Sequence, residues 1–178
     1  NILRGPTSDL YGTNQPGGLI NGVTKRPGFT YAGTVRGVAT SDGGTELGVD
    51  FTGPLSDSVA YRFVGLFNKS GSVYDAVDTG RIYFAPSLTF SPSDDTTLTG
   101  YGQYQKDDVG DSYVLVPQYG SLRPNSVARY GPGTYTGNPN KNTIETTQNY
   151  IGYEFEQQVT PSLSFVSRAR VSDNDWRN

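Results

Sequence analysis

Phenols and guanidinium groups crowd one stretch of this chain. Between Asp107 and Thr146, about forty residues with little periodicity hold Tyr113, Tyr119, Tyr130 and Tyr135 with Arg123 and Arg129, among many Gly, Pro and Asn. A connection of that length is too long for a passive linker. Its tyrosines either meet a ligand or pack the loop on itself. Covalent chemistry is poorly provided for. The chain has no Cys and no His, which removes a disulfide framework, most zinc sites, Ser-His-Asp triads and Cys-His dyads. Asp107, Asp108 and Asp111 fall short of a calcium loop in spacing and ligand count. The turn from Gly12 to Gly18 lacks the Gly-Lys-Ser/Thr ending of a phosphate loop. Asn68-Lys69-Ser70 fits a glycosylation sequon but lies at a strand end.

The elements that carry these residues follow from composition and period. Among 178 residues are 23 Gly, 13 Tyr and 8 Phe, while the hydrophobic share is only 34%. That balance suits a chain in which alternate residues face an apolar medium. No run approaches the roughly 18 apolar residues of a membrane-spanning helix. The net charge is −3, with no block of like charges, so nucleic acid finds no electrostatic footprint.

From Phe29 onward the period is 2. Leu47, Val49, Phe51 and Leu55 alternate with Glu46, Asp50 and Thr52, as half-buried strands require. Val35 and Ala39 alternate with Thr34, Arg36 and Thr40, and Asp42-Gly43-Gly44 between the two segments reads as a hairpin turn. Val59, Tyr61, Phe63 and Phe67 oppose Arg62 and Asn68. Ile82, Phe84, Pro86, Leu88 and Phe90 oppose Arg81, Tyr83, Ser87 and Thr89, with a bulge or local break expected at Pro86 because it donates no ladder bond. Three more strands follow over Thr96–Lys106, Thr147–Val159 and Leu163–Ser172, making seven of roughly ten residues each, the length a tilted membrane strand needs. Glu154 and Glu156 join Glu46 and Asp50 on the polar side. Ser56-Asp57-Ser58, Ser93-Asp94-Asp95 and Thr160-Pro161-Ser162 are short connections. The alternating ones, Ser41–Gly44, Ser70–Thr79 and Asp107–Thr146, grow along the chain. Short turns at one rim and lengthening loops at the other are the build of outer-membrane barrels. Tyr31, Tyr61, Phe90 and Tyr153 near strand ends suit an interfacial girdle.

The first 27 residues are different: turn-dense, with Gly5-Pro6 and Gly12 to Gly18 as turns and only short apolar runs between. The ordered series Leu3-Arg4-Gly5-Pro6, Leu10-Tyr11-Gly12, Pro16-Gly17-Gly18-Leu19-Ile20-Asn21 and Lys25-Arg26-Pro27 resembles the plug-to-barrel junction of TonB-dependent outer-membrane receptors. The ferric-siderophore receptors of ferrichrome type are the subgroup it resembles best. The resemblance implies an all-β fold: the end of a plug domain over residues 1–27, then over 28–178 the first strands of an antiparallel transmembrane barrel of about 22 strands with an occluded lumen. It also implies a fragment truncated at both ends. Signal peptide, most of the plug and the coupling segment would lie upstream of Asn1, and most of the barrel beyond Asn178, because seven strands cannot close a single-chain bacterial barrel.

By the same resemblance Tyr11 meets ligand at the plug apex, or else packs within the plug. Tyr113, in Ser112-Tyr113-Val114-Leu115-Val116-Pro117, matches an aromatic ligand contact of the outer loop. Leu115 stands where the family pattern has a second aromatic, a departure that puts ferrichrome itself in doubt. Arg4, Lys25 and Arg26 either pair with lumen-facing carboxylates such as Glu46 and Asp50, holding plug to barrel, or are solvated charge at a domain boundary. The implied activity is uptake of ferric siderophores in the bacterial outer membrane, driven through a TonB-type periplasmic coupling protein by a monomeric barrel set in lipid. No bond of the substrate changes, so no enzyme is expected, and iron travels as a chelate with no protein-ligated metal or cofactor. A passive porin or adhesin-type barrel is the alternative, and a soluble β-sandwich binding module a further one.

Overall fold

The computed structural model describes residues 2–4, 18–20, 24–41, 43–72, 74, 77–110, 115–124, 126, 129–131, 133–138 and 143–177, the first two segments as backbone only. Two short strands, β1 (Ile2–Arg4) and β2 (Gly18–Ile20), pair antiparallel with Ile2 opposite Ile20. Everything else hangs on one antiparallel sheet of seven strands in sequential order. These are β3 (Ala32–Ala39), β4 (Thr45–Ser56), β5 (Val59–Gly71), β6 (Asp78–Ser93), β7 (Thr96–Gly110), β8 (Thr143–Thr160) and β9 (Leu163–Arg177).

Seven strands with the expected faces are present, but they are longer than the periodicity delimits. β7 runs on to Gly110, β8 starts at Thr143 and β9 continues through Trp176, so the long connection shrinks to residues 111–142. Outside the apolar stretch these extensions have no alternation to announce them. Backbone pairing holds them instead, as Asp108↔Glu145 and Glu145↔Arg177 illustrate.

The bulge expected at Pro86 is not there. β6 continues through it, and Pro86 keeps its register opposite Phe63. On the β7 side the ladder lapses over Ala85–Pro86 and resumes unshifted, from Phe84↔Tyr104 to Ser87↔Tyr101. One missing N–H can be skipped when residues on both sides are locked. Register shifts fall instead at Pro54/Ser56, Phe90/Ser93 and Gln158/Thr160, each beside one of the short turns. There the chain reverses within two residues and a bulge absorbs the extra twist. At the opposite rim Gly43, at φ +84°, takes the left-handed conformation its hairpin needs.

The distribution of burial is inverted relative to a soluble domain. Among the described residues the buried hydrophobic side chains are only Ala60 and Val77, whereas Thr52, Thr89, Thr99 and Glu154 are buried too. Four of these form one transverse row, Ala60↔Thr89↔Thr99↔Glu154, on the face that residues 24–28 cross. That face is termed inner. The outer face carries Phe51, Phe63, Pro86, Ile151 and Val171 at one level, and it lies open, with Leu88 53%, Ile151 70% and Val171 73% exposed. No second sheet covers it, which disposes of the sandwich reading. A contiguous apolar face of this extent is tolerated where the surrounding medium is itself apolar.

Within that face aromatic rings cover bare backbone. The Phe51 ring lies over Gly33 and the Tyr31 ring over Gly53, leaving no room for a Cβ at either glycine. Phe63 and Phe84 meet edge to face at 5.0 Å. Tyr31 (beside Gly53), Tyr61 and Tyr153 stand at one level near the short-turn rim, through the row Gly53↔Tyr61↔Leu88 and Gly100↔Tyr153, as an interfacial belt does.

A charge in the middle of the outer face should therefore be expensive and one on the inner face cheap. In the full-length protein refolded into bilayers, Phe63→Lys is expected to cost about 2–4 kcal/mol. Gln103→Lys on the inner face is expected to cost under about 1 kcal/mol. Denaturant unfolding followed by intrinsic fluorescence measures both.

Candidate functional site

Residues 24–28 form an extended strap across the inner wall, and the wall's charged side chains are spent on holding it. The alternation that sends Asp50, Thr52 and Arg62 inward puts all three beneath one end. Asp50 is gripped by the Arg62 guanidinium through two parallel bonds, Nε to Oδ1 at 2.9 Å and Nη2 to Oδ2 at 2.7 Å. The same carboxylate accepts from Lys25 Nζ at 2.8 Å. Arg62 also donates through Nη1 to the Arg26 carbonyl at 3.1 Å, so a single guanidinium reads both wall and strap. Next to it the Thr52 hydroxyl accepts from the Gly28 N–H at 2.7 Å and donates to the Tyr61 carbonyl at 2.8 Å.

Between Lys25 and Gly28, the Arg26 side chain makes a second anchor four strands away. Arg26 reaches Glu154 on β8, whose side chain is only 9% exposed. Arg168 on β9 donates through Nε to Glu154 Oε1 at 2.6 Å and lies 3.4 Å from Glu156. A carboxylate this enclosed needs its partners, because an uncompensated charge there costs several kcal/mol. Glu154 has two.

Between the anchors the strap roofs two recesses of about 370 and 170 Å³. Their floor is tyrosine: Tyr101 and Tyr150 edge to face at 6.1 Å, with the Arg170 guanidinium 5.3 Å over the Tyr150 ring and Tyr83 alongside. Gly152 permits this, since a Cβ there would stand 2.8 Å from the Tyr101 ring. The inner wall thus offers phenols and guanidinium groups. Among the described residues no group of three or more potential metal ligands occurs.

Of the residues singled out in the sequence, Lys25 and Asp50 are in contact. Arg26 is on the wall too, but its partner is Glu154. Glu46 pairs with Arg36 on the neighbouring strand at 3.3 Å and takes no part in the clasp. Arg4 is described only as backbone within β1, and Tyr11 and Tyr113 lie outside the described residues. Leu115 is 79% exposed, its carbonyl accepting from Thr136 Oγ1 at 3.2 Å. Arg62 and Arg168, which complete both anchors, read in the sequence only as polar-face residues. The register could have flagged Arg62: with Thr52 opposite Arg62, Asp50 is its diagonal neighbour, within reach of a long side chain.

No protein-family model matches the chain. Similar proteins do. The ferrioxamine receptor of Yersinia enterocolitica is 32% identical over 174 residues, covering 98% of this chain and 24% of that protein. The ferrichrome outer membrane transporter/phage receptor of Escherichia coli K12 is 29% identical over 175 residues, 97% of this chain and 23% of its own length. Among solved structures, the open form of the ferric-catecholate import receptor Fiu from E. coli K12 superimposes with a TM-score of 0.82 at 18% identity, over 98% of this chain and 28% of that one. The siderophore receptor PiuA from Acinetobacter baumannii gives 0.80 at 20% identity, over 98% and 26%. The chain spans about a quarter of the length of the curated relatives it matches.

An inside-out antiparallel sheet with an apolar exterior, short turns on one rim and long loops on the other is the wall of an outer-membrane β-barrel. The likeness in sequence is to siderophore receptors and transporters of the bacterial outer membrane, the likeness in fold is to the same wall, and together they place the chain in that membrane.

The clasp carries a graded expectation. In the full-length protein Asp50→Asn strips a charged partner from the half-buried Arg62 guanidinium and Glu154→Gln removes the enclosed carboxylate that Arg26 and Arg168 share, and about 1–3 kcal/mol of strap attachment is expected to go with each. Lys25→Met removes an exposed pair worth about 0–1 kcal/mol. Tryptic cutting of the Lys25–Arg26 bond in Asp50→Asn and Glu154→Gln, compared with wild type, reads strap release.

Proposed function

We propose that the whole protein takes up ferric siderophores across the outer membrane, energised through a TonB-type coupling protein in the periplasm. The observation that carries this reading is the strap. A chain segment that enters the lumen ahead of the first barrel strand and is bound there by two ion-pair clusters belongs to a stoppered barrel, whereas an open pore begins directly with strands. The names of the relatives, receptors and transporters for iron chelates, support it. In this reading the substrate arrives from outside between the outer loops and the plug apex, where Tyr11 and Tyr113 serve as ligand contacts beside Leu115. Arg4, Lys25, Arg26 and Asp50 keep plug and barrel together, and Glu46 braces the first two barrel strands. The iron is cargo, carried in its chelate, and no bond of the substrate is made or broken, so the protein is no enzyme. The barrel works as a monomer in outer-membrane lipid.

The reading has a direct test. In iron-starved cells that make no siderophore of their own and express the full-length protein, labelled ferric chelate is expected to accumulate. Dissipating the proton-motive force is expected to stop accumulation while leaving surface binding intact. Accumulation that continues without the gradient identifies a passive pore.

A further inference from the structure

The outer loop is charged unlike the rest of the molecule. From Asp111 to Asn142 the sequence holds Arg123, Arg129 and Lys141 against a single acid, Asp111, a local charge of +2 within a chain of −3. Elsewhere, among the residues whose side chains are described, every cation but Arg170 faces a carboxylate. Lys25, Arg26, Arg36, Arg62, Lys69, Arg81, Lys106, Arg168 and Arg177 each face a carboxylate, and Arg170 lies over Tyr150. Arg123 and Arg129 have no carboxylate partner among the described residues. At the loop stems Asp107 is engaged by Arg81, and Asp108 and Glu145 by Lys106.

These two cations stand beside phenols. A recess of about 610 Å³ is lined by Arg129, Tyr130, Val116 and Leu122 from this loop and by Tyr74 from the connection between β5 and β6. A second, of about 320 Å³, is lined by Arg123 and Arg129 together. The Arg123 guanidinium sits 5.9 Å over the Tyr119 ring, and the loop closes on itself through Gly120 N–H to the Arg123 carbonyl at 2.7 Å and Tyr130 N–H to the Gly120 carbonyl at 2.9 Å. Gly120, at φ +99°, supplies the left-handed residue that this closure needs. Backbone bonds therefore bring the two arginines to the wall of one recess.

We propose that this loop selects a ferric chelate of net negative charge, with Arg123 and Arg129 as its charge-reading contacts and Tyr74 and Tyr130 as its stacking surface. The proposal deepens the uptake reading above and rests on it. Ferric chelates differ in sign. Three doubly deprotonated catechols outweigh one ferric ion and give an anion, three hydroxamates balance it, and a linear trihydroxamate bearing a free amine is a cation. The uncompensated guanidinium groups attract the first, are indifferent to the second and repel the third. Discrimination by sign is the difference between those interactions, and the same field raises the capture rate of an anion at low salt.

The test uses the full-length receptor in detergent and three probes: a ferric tris-catecholate, a neutral ferric trihydroxamate and an amine-bearing ferric trihydroxamate. Affinities are read by fluorescence quenching at low and high salt, in wild type, in Arg123→Gln/Arg129→Gln and in Arg123→Lys/Arg129→Lys. Wild type is expected to bind the anion tightest, with an affinity that falls as salt rises. The Gln pair is expected to lose roughly tenfold or more for the anion while the neutral probe changes by less than about twofold, and the Lys pair should keep most of the anion affinity. Retained binding of the neutral probe certifies that the Gln pair is folded, and a melting temperature equal to wild type does so if that probe binds weakly. Tighter binding of the neutral or cationic probe by wild type, or anion affinity untouched in the Gln pair, overturns selection by this loop and leaves the uptake reading standing. Binding of none of the three overturns the uptake reading itself, and this proposal with it.

Discussion

Backbone hydrogen bonding governs this structure more than any side-chain contact. A strand that meets hydrocarbon has no water to satisfy its N–H and C=O groups, so each must be paired by a neighbour. Sequential antiparallel pairing meets that demand, with each of β4 to β8 bonded to the strand before and the strand after. Side chains are then free to obey the media on the two sides. That is why Ile151 and Val171 can stand almost uncovered while Thr99 and Glu154 are buried. Pro86 shows how strong the constraint is. The chain accepts a two-residue lapse in one ladder and does not let the register slip, because a one-residue shift would turn every apolar side chain of β6 toward the lumen.

The inner wall follows from the same rule with the sign reversed. Polar residues sent inward by the alternation would leave carboxylates such as Glu154 enclosed and unpaired. The clasp resolves this by matching each buried acid with an arginine of the wall and a cation of the strap: Asp50 with Arg62 and Lys25, Glu154 with Arg168 and Arg26. The wall arginine partners the acid from within the sheet, and the strap cation adds the attachment. Holding the strap is thus a modest increment on a charge pair that already exists.

The outer loop obeys a third logic, since neither lipid nor wall disciplines it. Its shape comes from a few backbone bonds around Gly120 and from the stacking of Arg123 on Tyr119. Cations that would be neutralised anywhere else in the molecule are left open beside phenols at the rim that faces outward. The molecule therefore divides its charge, with ion pairs along the wall and, in the outer loop, guanidinium groups that have no carboxylate partner among the described residues.

Much of this was legible in the chain as written. The period of 2 from Phe29 named the strands and their faces, because lipid on one side and polar lumen on the other leave a trace at every residue. The short turns at Ser56-Asp57-Ser58, Ser93-Asp94-Asp95 and Thr160-Pro161-Ser162 gave strand order and the two unequal rims. Strand ends were not legible, since beyond the apolar band both faces are wet and alternation stops, although β7, β8 and β9 continue by backbone bonding alone. The partners of the clasp were legible only in kind. Composition shows that acids and bases occupy the inner face, but which meets which depends on register and on strap position: Glu46 was drawn to Arg36 beside it, and Arg26 crossed four strands to Glu154. Pairing within a strand or hairpin is a local property of sequence, whereas a contact across 128 residues exists only once the sheet has set its geometry.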